Sequence, residues 1–159
     1  MPVTSEAFRQ ALSRFASGVT VVTTASGGQK AGLTVSAFSS LSLEPPYILV
    51  CIDKSSSSCA VLRSAGAFAV NILASDQAHL SQHFASRLED KFAQVDYHPG
   101  LAGIPVLHGT LASLECRLVQ ELDGGDHFIY IGQVERTFVD ESKSPLLYYR
   151  GQYRQLAEG

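Results

Sequence analysis

The sequence predicts a mainly β protein of antiparallel strands with a few short helices. Two pairs of strand-like runs carry this expectation. Residues 19–24 lead through Gly27-Gly28 into residues 32–43, and residues 111–122 lead through Asp123-Gly124-Gly125-Asp126 into residues 128–139. Segments with helical spacing of apolar residues are short by comparison. With 159 residues, 45% hydrophobic and 17% charged, the chain is expected to form one compact domain, residues 1–159, that buries most of its unfolded surface.

Taking the elements in order, Thr4 or Ser5 is placed to cap a first helix. Phe8, Leu12 and Phe15 fall on one stripe of it, expected to pack on the body, and Gly18 is its natural stop. Residues 19–24 are β-branched throughout and make a first strand, and residues 25–29 turn the chain back antiparallel. The returning stretch, residues 32–43, alternates apolar with hydroxyl side chains. Leu33, Val35, Ala37, Leu41 and Leu43 face one way, and Thr34, Ser36, Ser40 and Ser42 the other. Phe38 and Ser39 interrupt the alternation as a bulge or change of direction does, freeing main-chain groups for something other than a strand. Such a wall suits a neutral, many-oxygened ligand, a polyol chain or the edge of a heteroaromatic ring. An edge strand with one wet face shows the same pattern.

Glu44-Pro45-Pro46 ends that strand for want of donors, and the apolar run 47–52 reads as a buried third strand. Asp53-Lys54-Ser55-Ser56-Ser57-Ser58 then opens a helix. Unpaired main-chain donors there, with Lys54 and several hydroxyls, make either a phosphate-sized anion site or a capped surface helix. Neither Gly-x-x-x-x-Gly-Lys nor Gly-x-Gly-x-x-Gly occurs, which excludes a P-loop and a doubly wound dinucleotide fold. Residues 67–73 form another strand. Asp76 opens a helix with Leu80 and Phe84 on one side and His79 and His83 one turn apart on another. The two histidines lack the glutamate of a zinc-protease helix and a nearby third ligand, so no metal site is expected. Residues 87–105 show no clear periodicity and read as a long irregular excursion, a flap over a site or surface filler.

His127 lies just beyond the second reversal, where two rigid strands hold an imidazole that still meets solvent; an ordinary polar strand end looks the same. The chain closes with a short strand from Pro145 and an aromatic, basic tail through Tyr153 that packs on a partner or stacks on a base. A formal charge of -3 with no long basic run argues against nucleic acid or an anionic membrane as partner. Cys51, Cys59 and Cys116 are odd in number and unpaired in spacing, so reduced thiols and a cytoplasmic location are expected. No secretory or membrane-spanning segment is visible.

Four blocks, in this order, carry a resemblance: Phe15-Ala16-Ser17-Gly18-Val19-Thr20-Val21-Val22-Thr23-Thr24, residues 32–43, Phe68-Ala69-Val70-Asn71-Ile72-Leu73, and Gly125-Asp126-His127 with Tyr149-Arg150-Gly151-Gln152-Tyr153. Through them the chain resembles the short-chain flavin reductases, the reductase components of two-component flavin-dependent monooxygenases. The resemblance implies a Greek-key antiparallel split barrel, the FMN-binding split barrel, working as a homodimer. It implies FMN, FAD or riboflavin as hydride acceptor, NADH or NADPH as donor, and a monooxygenase that receives reduced flavin.

Carried onto this sequence, the resemblance puts Thr34, Ser36, Ala37, Ser39 and Ser40 along the flavin ring edge and ribityl chain. Asp53, Lys54, Ser57 and Ser58 fall by its phosphate end, and Phe84 and Lys91 close over it. His127 is implied against the nicotinamide, with Tyr153 nearby. Chemistry that belongs to two cofactors explains why no nucleophile elbow or acid–base dyad is found. The same architecture also carries pyridoxamine-phosphate-oxidase-like enzymes and non-catalytic binders of flavin or haem, so fold alone does not select among them.

Overall fold

The computed structural model describes residues 1–157. The first helix, α1 (Ser5–Leu12), is capped by the Thr4 side chain, which accepts from the Ala7 N–H. It ends at Leu12, six residues before the expected stop, and Ser17–Gly18 instead forms a short strand, β1. None of its residues is buried, so the stripe of Phe8 and Leu12, with Phe15 beyond it, is exposed in the single chain.

The first hairpin is β2 (Thr20–Ser26) and β3 (Gln29–Val35), joined by Gly27 and Gly28, both at positive φ as a tight two-residue turn requires. Both faces of β2 are buried: Val22 enters one core cluster, Val21 a second. Its threonines survive there because each hydroxyl has an acceptor, Thr20 the Val35 carbonyl, Thr23 that of Pro105 and Thr24 that of Ala67. The hydroxyl-rich stretch is two strands, not one. The chain breaks at Ser36-Ala37, two residues earlier than the interruption at Phe38-Ser39 suggests, and resumes as β4 (Phe38–Ser42). β3 and β4 lie at opposite edges of one seven-stranded antiparallel sheet, so the alternation does not run through and no single wall forms; Leu41 and Leu43 are exposed.

The rest of that sheet is β5 (Tyr47–Asp53), β6 (Ala67–Ile72), β9 (Ala112–Gly124) and β10 (His127–Val139), in the order β3-β2-β6-β9-β10-β5-β4. β5 is buried on alternate residues only. Ile48, Val50 and Ile52 enter the core with Phe68, Val70 and Tyr130, and Tyr47, Leu49 and Cys51 stay half-buried on the other face. Helix α2 (Ser58–Ala65) covers that core with Cys59 and Leu62 and stops at Gly66 in the left-handed conformation.

Helix α3 (Ala78–Phe84) is capped by Gln77, one residue beyond Asp76. The excursion after it is more ordered than its lack of periodicity implied: β7 (Tyr97–Pro99) and β8 (Pro105–Leu107) pair antiparallel around a 3-10 turn. The terminal hairpin, β11 (Leu147–Tyr149) and β12 (Gln152–Arg154), joins β1 in a three-stranded sheet. All pairings are antiparallel and the helices few, the architecture of a split barrel.

Candidate flavin and nicotinamide site

A cavity of about 780 Å³ opens where the break between β3 and β4 meets the half-buried face of β5, the start of β10, the β11–β12 hairpin and α1. Ser36 and Ala37 reach it from the break, Ser39 from the start of β4, His127 from β10, and Leu49 and Cys51 from β5. Phe8 and Leu12 of α1 form its outer wall, and Tyr148 and Arg150 come from the terminal hairpin. Burial pushes the Cys51 thiol above its ordinary range, so it lines the cavity as a neutral group.

His127 pairs with Asp53 across the ladder. Its Nδ1 donates to Asp126 Oδ1 at 2.7 Å, which in the neutral ring leaves Nε2 as an acceptor. The Asp53 carboxylate is held below its usual range by two bonds from Ser55, from its hydroxyl and its main-chain N–H. Lys54 is engaged on the outer surface: its ammonium pairs with Asp123 and lies 5.2 Å from the centre of the Phe128 ring.

Ser57, Ser58 and Lys91 meet elsewhere, around a smaller cavity of about 120 Å³ at the start of α2 beside Gly32. Ser57 sits at the helix cap with its hydroxyl unused, beside main-chain donors and the helix's positive end. Lys91 Nζ donates to the Gly32 and Phe84 carbonyls at 3.0 and 2.9 Å, and burial lowers its pKa. β3 is an edge strand and runs between the two cavities, from Gly32 at one to Ser36 just past its end at the other, so its outer main-chain groups can bond a ligand laid along it. Four residues of strand span roughly 13 Å. The larger cavity, partly apolar and hydroxyl-edged with Arg9 and Arg150 at its rim, has room for a ring system, and the smaller one offers a phosphate Lys91, Ser57 and Ser58, with Glu89 and Asp90 also in its lining.

Asp53 and Lys54 line neither cavity, and four further expected site residues stand differently. Phe84 does not close over a cavity: it is fully buried, and a Cβ at Gly32 would lie 2.7 Å from its ring. The Thr34 hydroxyl is already spent on the Ser81 carbonyl. Ser40 lies on exposed β4 outside the cavity. Tyr153 turns its hydroxyl to Ser81 Oγ at 2.7 Å, and its cross-strand partner Tyr148 takes the place in the cavity wall. Sequence reasoning missed Tyr148, Arg150 and Arg9. An Arg-Gly pair at the tip of an aromatic hairpin was the available signal for Arg150.

Residues 12–157 match the profile of the flavin reductase like domain. The chain belongs to this flavin reductase family. It is 42% identical over 146 residues to the reductase subunit HsaB of a flavin-dependent monooxygenase from Rhodococcus jostii, covering 92% of this chain and 75% of that protein. It is 42% identical over 151 residues to the reductase component of 4-hydroxyphenylacetate 3-monooxygenase from Thermus thermophilus, covering 95% and 96%. Among solved structures, the NADH:FAD oxidoreductase SgcE6 from Streptomyces globisporus superposes with a TM-score of 0.94 at 32% identity, covering 99% of this chain and 96% of that one. As in other flavin reductases, the fold is the split barrel.

Proposed function

We propose that this chain passes a hydride from NADH or NADPH to FMN, FAD or riboflavin and hands the reduced flavin to a flavin-dependent monooxygenase. The observation that carries the reading is the larger cavity, which brings His127 together with Ser36 and Ala37 of the strand break and Ser39 of β4 in a flavin reductase fold. When bound, flavin and nicotinamide supply the hydride transfer between two stacked rings.

The chain's own groups bind and align. Ser36, Ala37 and Ser39 offer hydroxyl and main-chain bonds to a ring edge and polyol. Ser57, Ser58 and Lys91 offer donors and charge to a phosphate. His127, oriented by Asp126, presents Nε2 as an acceptor for an amide N–H of the kind nicotinamide carries. Phe8, Leu12 and Leu49 keep water from one side of the cavity.

Homodimer formation belongs to the same reading, supported by large apolar side chains left in solvent, Phe15 at 80% and Leu43 at 86% exposure. A cytoplasmic location is supported by three free cysteines; no described helix is long and apolar enough to cross a membrane.

The test is a steady-state assay pairing each nicotinamide with each of the three flavins. Oxidation of a nicotinamide that depends on added flavin supports the reading, and no oxidation with any pair removes it. Sedimentation of the purified chain tests the dimer.

A further inference from the structure

Arg150 occupies a position that its backbone disfavours. It sits at the tip of the β11–β12 hairpin with φ 52, in the left-handed region, next to Gly151 at φ 76. Hairpin tips of this kind ordinarily use Asn, Asp or Gly, because a side chain with a full stem is strained there. Strain of this sort persists where the surroundings enforce it, and it collects at ligand sites. Here the Arg150 N–H donates to the Ser13 carbonyl at 3.1 Å, which ties the tip to the end of α1.

That tie brings Arg150 and Arg9 of α1 to the same cavity as His127. Neither guanidinium has a carboxylate partner among the described residues, although Arg63, Arg117 and Arg136 each do. The lining of the cavity holds no aspartate and no glutamate, in a chain whose formal charge is -3. A cavity bordered by two unpaired arginines, with no carboxylate in its lining, is built to receive an anion. On the reductase reading the flavin phosphate is assigned to the other cavity, where Ser57, Ser58 and Lys91 meet beside Glu89 and Asp90.

We propose that Arg150, assisted by Arg9, grips the pyrophosphate of the nicotinamide donor and so determines donor affinity. The inference rests on the reductase reading and deepens it. In this arrangement His127 reads the nicotinamide end and the arginines hold the charged linker. Arg150 is a binding residue and takes no part in the transfer itself.

The informative variant is Arg150→Gly, since glycine adopts a positive φ without strain and removes the guanidinium together with its stem. Its melting temperature is expected to equal or exceed that of the parent. NAD+ binding to the flavin-free protein, measured by calorimetry, should weaken about tenfold or more, the worth of one charge-assisted contact. In turnover, kcat/KM for NADH should fall by a similar factor with either riboflavin or FMN as acceptor. With 1-methyl-1,4-dihydronicotinamide, which carries no phosphate, the loss should be far smaller. Arg150→Lys should recover part of the NAD+ affinity, and Arg9→Ala should weaken it less than Arg150→Gly does.

Unchanged NAD+ affinity in Arg150→Gly overturns the proposal. So does a loss that follows the phosphate of the acceptor, present with FMN and absent with riboflavin. An equal loss with both donors also overturns it, because a damaged cavity would not distinguish them. Failure of the unaltered protein to oxidise either donor is a different result and removes the reductase reading instead.

Discussion

His127 and Asp53 stand opposite each other across the β10–β5 ladder, at the end where both strands leave the sheet. Their polar groups are not spent on one another: Asp53 takes two bonds from Ser55, and the imidazole donates to Asp126. The ladder therefore fixes where the ring is, and Asp126 fixes which nitrogen meets the cavity. Replacing His127 by alanine should raise KM for the nicotinamide about tenfold, the worth of one good hydrogen bond, and change KM for the flavin far less. Equal damage to both in steady-state kinetics would remove this role for His127.

Tyr148 and Tyr153 are cross-strand partners with opposite duties. Tyr153 ties β12 to α3 through Ser81, and Tyr148 faces the cavity. Tyr153→Phe removes one half-buried hydrogen bond and should cost about 1 kcal/mol of stability in denaturant titration with little effect on turnover. Tyr148→Ala should show the reverse balance, a clear loss of kcat/KM at nearly unchanged stability.

The hairpins were legible because each needs only a local cause: β-branched runs on either side of Gly27-Gly28, and the glycine-rich reversal before His127. His127 could be singled out for the same reason. Tyr148 could not, because three tyrosines, Tyr148, Tyr149 and Tyr153, share one hairpin and look alike until packing against Ser81 takes up Tyr153. The periodicity of α3 marked Phe84 as an inward residue, yet whether it meets a ligand or the underside of Gly32 depends on a strand fifty residues away. The larger cavity gathers five elements, and no local pattern records their meeting.

Gly32 has no room for a side chain. A Cβ there would fall 2.7 Å from Phe84 Cε1 and 3.1 Å from Phe92 Cζ. Gly32→Ala should cost about 1–3 kcal/mol by overpacking, read as a lower denaturation midpoint. Adding Phe84→Leu should return part of that loss, and strict additivity of the two changes would show that the ring is not what the methyl meets.

The hydrogen bond and charge of Lys54 hold the Asp123 carboxyl below its ordinary value of 3.8. A carboxylate whose folded-state pKa is lowered stabilises the fold above its unfolded value and loses that contribution as pH falls through the folded one. Thermal melts of the parent and Asp123→Asn should differ by a constant amount above about pH 5 and converge below 3.8. Because the pair is exposed, salt should shrink the difference at neutral pH.

Lys91 divides its ammonium between two carbonyls and the small cavity, and burial alone lowers its pKa, so a phosphate would supply the missing counter-charge. Lys91→Gln keeps a donor for the carbonyls and removes the charge. KM for FMN and FAD should then rise about tenfold, in line with one charge-assisted contact, and KM for riboflavin should hold within about twofold. Steady-state kinetics with the three flavins at saturating NADH separates these outcomes. Were riboflavin to suffer as much as FMN, Lys91 would be a strut for Gly32 and Phe84, and the phosphate end of the flavin would have to be sought away from α2.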